Sequence, residues 1–180
     1  MSWRLLGNGC DKRFYIKENS EVVGSFGAIC CSDSVASREM KAYIRLKCAG
    51  LSSLLPAVLP WTQGNILPEG ITIKPQYMIE RLHIGRTFKP QMCVFNVSRQ
   101  VNAELNKGDK IKILKSLKLI EDNLFQVCNI VGELTLAICA QKKDMFLLDF
   151  SPGETGSTAI SQIDTIKSGI NNLKKRMEDC

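Results

Sequence analysis

The most prominent pattern of apolar positions lies in the second half of the chain. The most apolar run covers 125–150. It predicts two strands, 125–140 and 145–150, joined by a polar turn at 141–144. Its apolar positions change from odd to even numbers at Gly132, as they do at a β-bulge. We expect the rest of the chain to be arranged around this pair of strands.

Shorter runs elsewhere predict further strands. They lie at 14–16, 22–31, 38–48, 76–84 and 91–98. In 38–48 the apolar residues face one way, and a basic row formed by Lys41, Arg45 and Lys47 faces the other. This alternation indicates a half-exposed strand whose basic row is open to solvent.

Two segments have apolar residues at helical spacing. One is short and rich in leucine, at about 50–60, and Pro60 ends it. The other lies at about 158–177, and its apolar stripe consists of Ile160, Ile163, Ile166, Ile170, Leu173 and Met177. Such a stripe packs on a sheet or, as a heptad seam, on a second copy of the chain. Both arrangements stay open, and the stripe is the candidate surface for self-association.

The segment 110–120 has two interpretations. As a strand, it extends the run at 125–150 into an antiparallel meander. As a helix capped by Asp109, it carries one apolar stripe opposite its lysines, formed by Ile113, Leu117, Ile120 and Leu124. We prefer the strand. In either form the candidate binding site for an acidic partner is the same, and it consists of Lys110, Lys112, Lys115 and Lys118 together with the basic row of 38–48.

These elements predict an α+β fold, with a twisted, mostly antiparallel sheet, a short Leu-rich helix and a long C-terminal helix. The length of 180 residues suits a single globular domain over 1–180. The segment 1–12 can be mobile, and 60–90, which is rich in proline and glycine, is expected to form loops broken by short strands.

Charge and cysteine content narrow the partners and the compartment. The formal net charge is +6 and the sequence pI is about 8.9, which favours acidic partners such as a nucleoprotein–RNA complex or an anionic membrane face. Eight cysteines without a regular framework, and a start without an apolar signal region, indicate reduced thiols. No apolar run is long enough to span a bilayer. We expect a cytosolic or nuclear protein.

The sequence offers few residues for catalysis. There is one histidine, His83, and there is no HExxH, GxSxG or Walker pattern and no acidic cluster. A zinc site of His83 with Cys30, Cys48 and Cys93 can be drawn, but these spacings fit no known ligand pattern. We expect a non-enzyme that uses no metal, cofactor or small-molecule substrate.

Two segments resemble the matrix proteins of rhabdoviruses, especially the plant-infecting kind. One is KAYIRLKCAGLSSLLPAVLPW at 41–61, a predicted strand followed by a helix. The other is NIVGELTLAICAQ at 129–141, which is similar to a strand of that family with a glycine among alternating apolar residues. The chain departs from the animal-virus members because it has no PPxY motif and no long basic N-terminal tail.

The resemblance implies a non-catalytic structural protein of the virion. Such a protein self-associates, condenses the nucleocapsid and bridges ribonucleoprotein to an anionic membrane, to which it binds peripherally in the host cytoplasm or nucleus. The alternative is a viral nonstructural effector or host-factor-binding module without a membrane role. The strand-rich segment 92–150, followed by a long helix, resembles an influenza-type effector domain of that class.

Overall fold

The computed structural model describes residues 3–9, 11–17, 25–62, 70–90, 105–152 and 159–178. Helices and antiparallel sheets together confirm the predicted α+β class. Where the sequence suggests one domain, contacts divide the chain into two compact units. Unit 1 comprises Met1–Glu39 and Pro56–Leu82, and unit 2 comprises Met40–Leu55 and His83–Cys180.

Within the described residues, unit 1 is built on a five-stranded antiparallel sheet. Its first three strands are β1 (Trp3–Asn8), β2 (Lys12–Lys17) and β3 (Phe26–Cys31). The sheet is completed by β4 (Val58–Pro60) and β5 (Pro75–Glu80), in the order β1-β2-β3-β5-β4. The strand predicted at 14–16 and the described part of the one predicted at 22–31 are confirmed, whereas the strand predicted at 76–84 ends at Glu80. The N-terminal segment belongs to the sheet from Trp3 onwards because β1 pairs with β2.

The segment 38–48 is helical, so the predicted strand is wrong. Helix α1 spans Asp33–Cys48, and the Ser32 hydroxyl accepts a hydrogen bond from the Val35 backbone N–H at 3.3 Å at its start. Its buried residues follow helical spacing and are Ala36, Glu39, Ala42 and Leu46. Alternation was misleading because the inward position 39 carries a carboxylate, whereas the apolar Ile44 is 58% exposed.

Gly50 ends α1 instead of starting a new helix. Its φ is +82°, a backbone conformation that glycine adopts without strain. The Leu51 N–H donates to the Leu46 carbonyl at 3.2 Å and the Gly50 N–H donates to the Lys47 carbonyl at 3.0 Å, which together form a Schellman motif. The Leu-rich helix predicted at about 50–60 is reduced to one 3-10 turn, Ser52–Leu54, followed by β4.

Three further helices are described in unit 2. They are α2 (Lys107–Asp122), α3 (Leu124–Ile130) and α4 (Ile163–Glu178), and a 3-10 turn at Ala159–Gln162 precedes α4. The preference for a strand at 110–120 is therefore wrong, and the helical alternative is confirmed, with Ile113, Leu117 and Ile120 buried along α2. The helix begins earlier than that alternative expects, because Asn106 and not Asp109 is its N-cap, and Leu124 lies in α3. The long C-terminal helix is confirmed.

Helix α4 packs closely on the chain just after β6, the first strand of the unit 2 sheet (Ile84–Phe88). A Cβ atom on Gly169 would lie 2.5 Å from the carbonyl oxygen of Pro90, so no larger residue fits without a backbone shift. The intrinsic cost of a glycine in a helix, about 1 kcal/mol relative to alanine, is accepted here because the two backbones approach so closely.

The other strands of unit 2 form a hairpin next to β6. They are β7 (Leu136–Cys139) and β8 (Asp144–Leu147), and the antiparallel order is β6-β7-β8. The strand at 145–150 and its preceding turn are confirmed in position. The strand at 125–140 is only partly correct because α3 occupies its first half, and Gly132 lies in the connection to β7 instead of in a β-bulge. The strand predicted at 91–98 lies outside the described residues.

Candidate functional site

Helix α2 carries the four lysines that are predicted to bind an acidic partner. A capping box fixes its start: the Asn106 side chain accepts from the Asp109 N–H at 2.9 Å, and the Asp109 carboxylate accepts from the Asn106 N–H at 3.0 Å. Ile113, Leu117 and Ile120 are fully buried, and α2 packs against α4. The lysines Lys112, Lys115 and Lys118 therefore lie on the opposite, solvent-facing side.

Two of the four lysines are held in ion pairs. Lys112 Nζ lies 3.0 Å from Asp144 Oδ2. Lys118 Nζ lies 2.7 Å from Asp122 Oδ1 and 3.5 Å from Glu121 Oε2. The hydrogen bond to Asp122, followed by the charge of that carboxylate, raises the pKa of Lys118. These carboxylates offset much of the positive charge of the two lysines.

The other two, Lys110 and Lys115, contact no carboxylate among the described residues. The same is true, within that part of the chain, of Lys107, which the sequence analysis did not include. Ile111, which lies among them, is 45% exposed, and Leu114 is half-buried. We call these five residues the α2 basic face: Lys107, Lys110, Ile111, Leu114 and Lys115.

A groove of about 430 Å³ adjoins the α2 basic face. Besides four residues of that face, its lining includes Leu105, Met177 and Glu178. Two lysines, one carboxylate and several apolar groups therefore lie side by side at this surface, and the net charge of the lining is positive. An arrangement of this kind suits a partner that is itself both anionic and apolar.

The second predicted basic group, on α1, is divided by the helical geometry. Lys41 and Arg45 lie one turn apart on the same face, and both are exposed. Lys47 points elsewhere, with its Nζ 5.7 Å from the centre of the Tyr43 ring, and that ring packs edge-on against Phe150 at 5.3 Å. The three residues do not form the single row that a strand would have given.

Another groove, of about 410 Å³, lies between the end of α1 and α3. Arg45, Cys48 and Ala49 line it from α1, and the residues from α3 are Phe125, Gln126, Asn129 and Ile130. Phe125 is 65% exposed. The sequence pattern gives no sign of this groove, because it predicts that Phe125 begins a strand and that Arg45 lies in a different one.

The stripe predicted for self-association is part of the core. Ile166, Ile170 and Leu173 are fully buried and Met177 is 2% exposed, while Ile160 and Ile163 are half-buried. This corrects the assignment of the stripe to an exposed seam, because side chains that already pack within unit 2 are not available to a second copy. Self-association stays a prediction, and it requires other residues.

Groups for metal binding or nucleophilic chemistry are sparse in the described residues. No cluster of three or more histidine, cysteine, aspartate or glutamate side chains there could hold a metal ion. Desolvation raises the pKa of the buried thiols of Cys30, Cys31 and Cys128 to about 11, so they are protonated at neutral pH. Of the helices that the structure describes, none has the length and apolar character needed to cross a bilayer.

No family model matches this chain, and no curated protein or solved structure shows a significant similarity to it. The resemblance to rhabdovirus matrix proteins therefore stays a hypothesis. One of the segments that carry it, 41–61, comprises the end of α1, a 3-10 turn and β4 instead of a strand followed by a helix. The functional conclusion consequently depends on surface chemistry.

Proposed function

We propose that this protein is a non-catalytic structural protein of the matrix type, which binds an anionic membrane peripherally through the α2 basic face and bridges it to ribonucleoprotein. The observation that supports the proposal is the arrangement of Lys107, Lys110 and Lys115, without carboxylate partners in the described part of the chain, around the exposed Ile111. Lysines attract anionic headgroups, and an isoleucine among them can enter the apolar boundary of the bilayer.

The composition of α2 favours lipid over RNA as the partner of this face. The helix contains no arginine and no aromatic residue, which are the side chains that stack on unpaired bases. Ile111 and Leu114 offer RNA neither a hydrogen bond nor a stacking surface, whereas their burial among lipid acyl chains is favourable.

The expected affinity of one copy is low. Three lysines at an anionic surface contribute about 3 kcal/mol, and burial of the exposed part of Ile111 adds about 1 kcal/mol. A total of about 4 kcal/mol corresponds to a dissociation constant near 1 mM. Several linked copies would bind far more tightly through avidity, so self-association is an integral part of the proposed function.

Co-sedimentation with phosphatidylserine vesicles tests the proposal. The double variant Lys110→Glu/Lys115→Glu is expected to lose at least about 30-fold in vesicle binding, because two attractive charges become repulsive. Binding by the parent should also fall at high salt and be weak on phosphatidylcholine. Replacing Lys112 and Lys118 as well would break their pairs with Asp144 and Asp122, so the double variant is the cleaner choice.

A charge-matched control is available on α4. Lys167→Glu/Lys175→Glu makes the same change in net charge at two exposed positions outside the α2 basic face and should retain binding. Ile111→Asn separates the two classes of acidic partner: it should weaken binding to vesicles and leave binding to soluble RNA unchanged. Equal losses in both double variants would contradict a localised site. A parent protein that ignores vesicles and stays monomeric would instead support the effector alternative.

A further inference from the structure

The groove between α1 and α3 has a different chemistry from the α2 basic face. Phe125, at 65% exposure, is the most exposed of the large apolar side chains in the described residues. Gln126, Asn129 and Arg45 line the same groove. We infer that this groove binds an unpaired nucleotide of single-stranded RNA. The groove is then the ribonucleoprotein-binding surface that the proposed function requires. In this respect the inference rests on the proposed function.

The α3 side of the groove suits a nucleobase. An exposed aromatic ring is a stacking platform for any base, because every base has a π-face. The amide side chains of Gln126 and Asn129 each carry two donor hydrogens and an acceptor oxygen, so they can pair with the polar edges of a base in more than one orientation. Phe125, Gln126 and Asn129 lie at helical spacings of one and four residues, which places them on one side of α3.

The α1 side of the groove suits the sugar-phosphate backbone. Arg45 offers a guanidinium that can bind phosphate through two parallel hydrogen bonds. Lys41 lies one helical turn from Arg45 on the same face of α1, with about 6 Å between the two Cβ atoms, and can contact a neighbouring phosphate. Of the described residues that line the groove, none is acidic. The local charge therefore favours a polyanion over a neutral or cationic partner.

Size and access favour an unpaired base. The groove volume of about 410 Å³ lies in the range of small-ligand sites and can hold one nucleotide. In an A-form duplex the base faces are covered by their neighbours, so Phe125 could not stack on them. Single-stranded RNA is consequently expected to bind, with little dependence on sequence, and duplex RNA is not.

Fluorescence anisotropy with a labelled oligouridine of about 12 nucleotides tests the inference. Phe125→Ala is expected to weaken binding at least about 10-fold, and Phe125→Trp should restore or strengthen it. Because Phe125 is largely exposed, neither change should unfold the protein, and circular dichroism checks this. Duplex RNA of equal length should bind more weakly than the single strand.

Two further measurements separate a built site from general charge attraction. Arg45→Glu should weaken RNA binding more than Lys115→Glu, although both change the net charge equally. Cys48 lines the same groove and is exposed, so bound oligouridine should slow its alkylation, as mapped by mass spectrometry. Phosphatidylserine vesicles should not slow it.

Several outcomes would overturn the inference. They are unchanged RNA binding by Phe125→Ala, equal losses in Arg45→Glu and Lys115→Glu, and a polyglutamate peptide of equal charge that binds as tightly as the RNA. The assays contain no lipid, so a failure here leaves the vesicle result of the α2 basic face intact. Conversely, a parent protein that binds the RNA but not the vesicles would contradict the membrane proposal and leave the nucleotide site standing.

Discussion

Each unit of the molecule holds a lysine–carboxylate pair of nearly the same length in different surroundings. In unit 1, Lys12 Nζ lies 2.5 Å from one carboxylate oxygen of Glu39, and the Tyr77 hydroxyl donates to the other at 2.5 Å. In unit 2, Lys174 Nζ lies 2.6 Å from Glu121 Oε2. The Glu39 side chain is 2% exposed, whereas that of Glu121 is 18% exposed.

The difference in burial leads us to expect unequal contributions to stability from two pairs of nearly the same length. A carboxylate that has lost its water, as Glu39 has, depends on its protein partners, and removing one leaves a buried charge poorly compensated. Within unit 1, these contacts hold the first part of α1, which ends in that unit at Glu39, to strands β2 and β5. In unit 2 the contact between α2 and α4 is made by buried Ile, Leu and Met side chains, and the ion pair lies beside it.

The largest expected effect is on the buried carboxylate of unit 1. Lys12→Met is expected to lower the free energy of unfolding by about 3 kcal/mol, because Glu39 would stay buried and lose its ion pair with Lys12. Urea denaturation followed by circular dichroism measures the change. Lys115→Met is the matched control, since that lysine is exposed and should change stability by less than about 0.5 kcal/mol. A loss below about 1 kcal/mol for Lys12→Met would show that water reaches Glu39 readily.

Thiol alkylation sharpens the comparison, because each unit contains buried cysteines. Desolvation by burial raises the pKa of Cys30, Cys31 and Cys128 from 9.0 to about 11. A rise of this size lowers the reactive thiolate fraction about 100-fold at pH 8, so exposed Cys48 should be labelled before these three thiols. In Lys12→Met we expect labelling of Cys30 and Cys31 in unit 1 to accelerate. Equal acceleration at Cys128 of unit 2 would mean that both units open together.

The smallest expected effect is on the partly exposed pair of unit 2. Lys174→Met is expected to lower the free energy of unfolding by about 1 kcal/mol at pH 7. The hydrogen bond from Lys174 is the main cause that lowers the pKa of Glu121 below its usual value of 4.5. A carboxylate with a depressed pKa stabilises the folded state above its unfolded-state pKa, and this contribution is lost as the pH falls through the folded value. The difference between the parent and Lys174→Met should therefore be full at pH 7 and shrink below about pH 4.5, and a constant difference would contradict this account.

Elements with a strong local signal could be predicted from the sequence. The apolar stripe at 160–177 recurs at helical spacing through α4, and the β7–β8 hairpin has a polar turn between two apolar runs, so the sequence predicts the helix and the position of the turn correctly. The segments of α1 and α2 are assigned wrongly from the sequence, because alternation alone predicts a strand at 38–48, and at 110–120 it fits about as well as helical spacing. In α1 the choice depends on Glu39, whose burial is acceptable only because Lys12 and Tyr77, distant in sequence, contact it.

The features of the candidate site also divide into those that the sequence determines and those that depend on the tertiary structure. The sequence by itself determined that the chain is basic, that the α2 lysines are exposed in either secondary structure, and that the C-terminal helix has one apolar stripe. Only the tertiary structure decided that Lys112 is paired with Asp144 of β8, that the stripe is buried, and that Phe125 and Arg45 line one groove. The physical reason is that exposure and periodicity follow from near neighbours along the chain, whereas ion pairs and grooves are made by residues that folding brings together from distant segments.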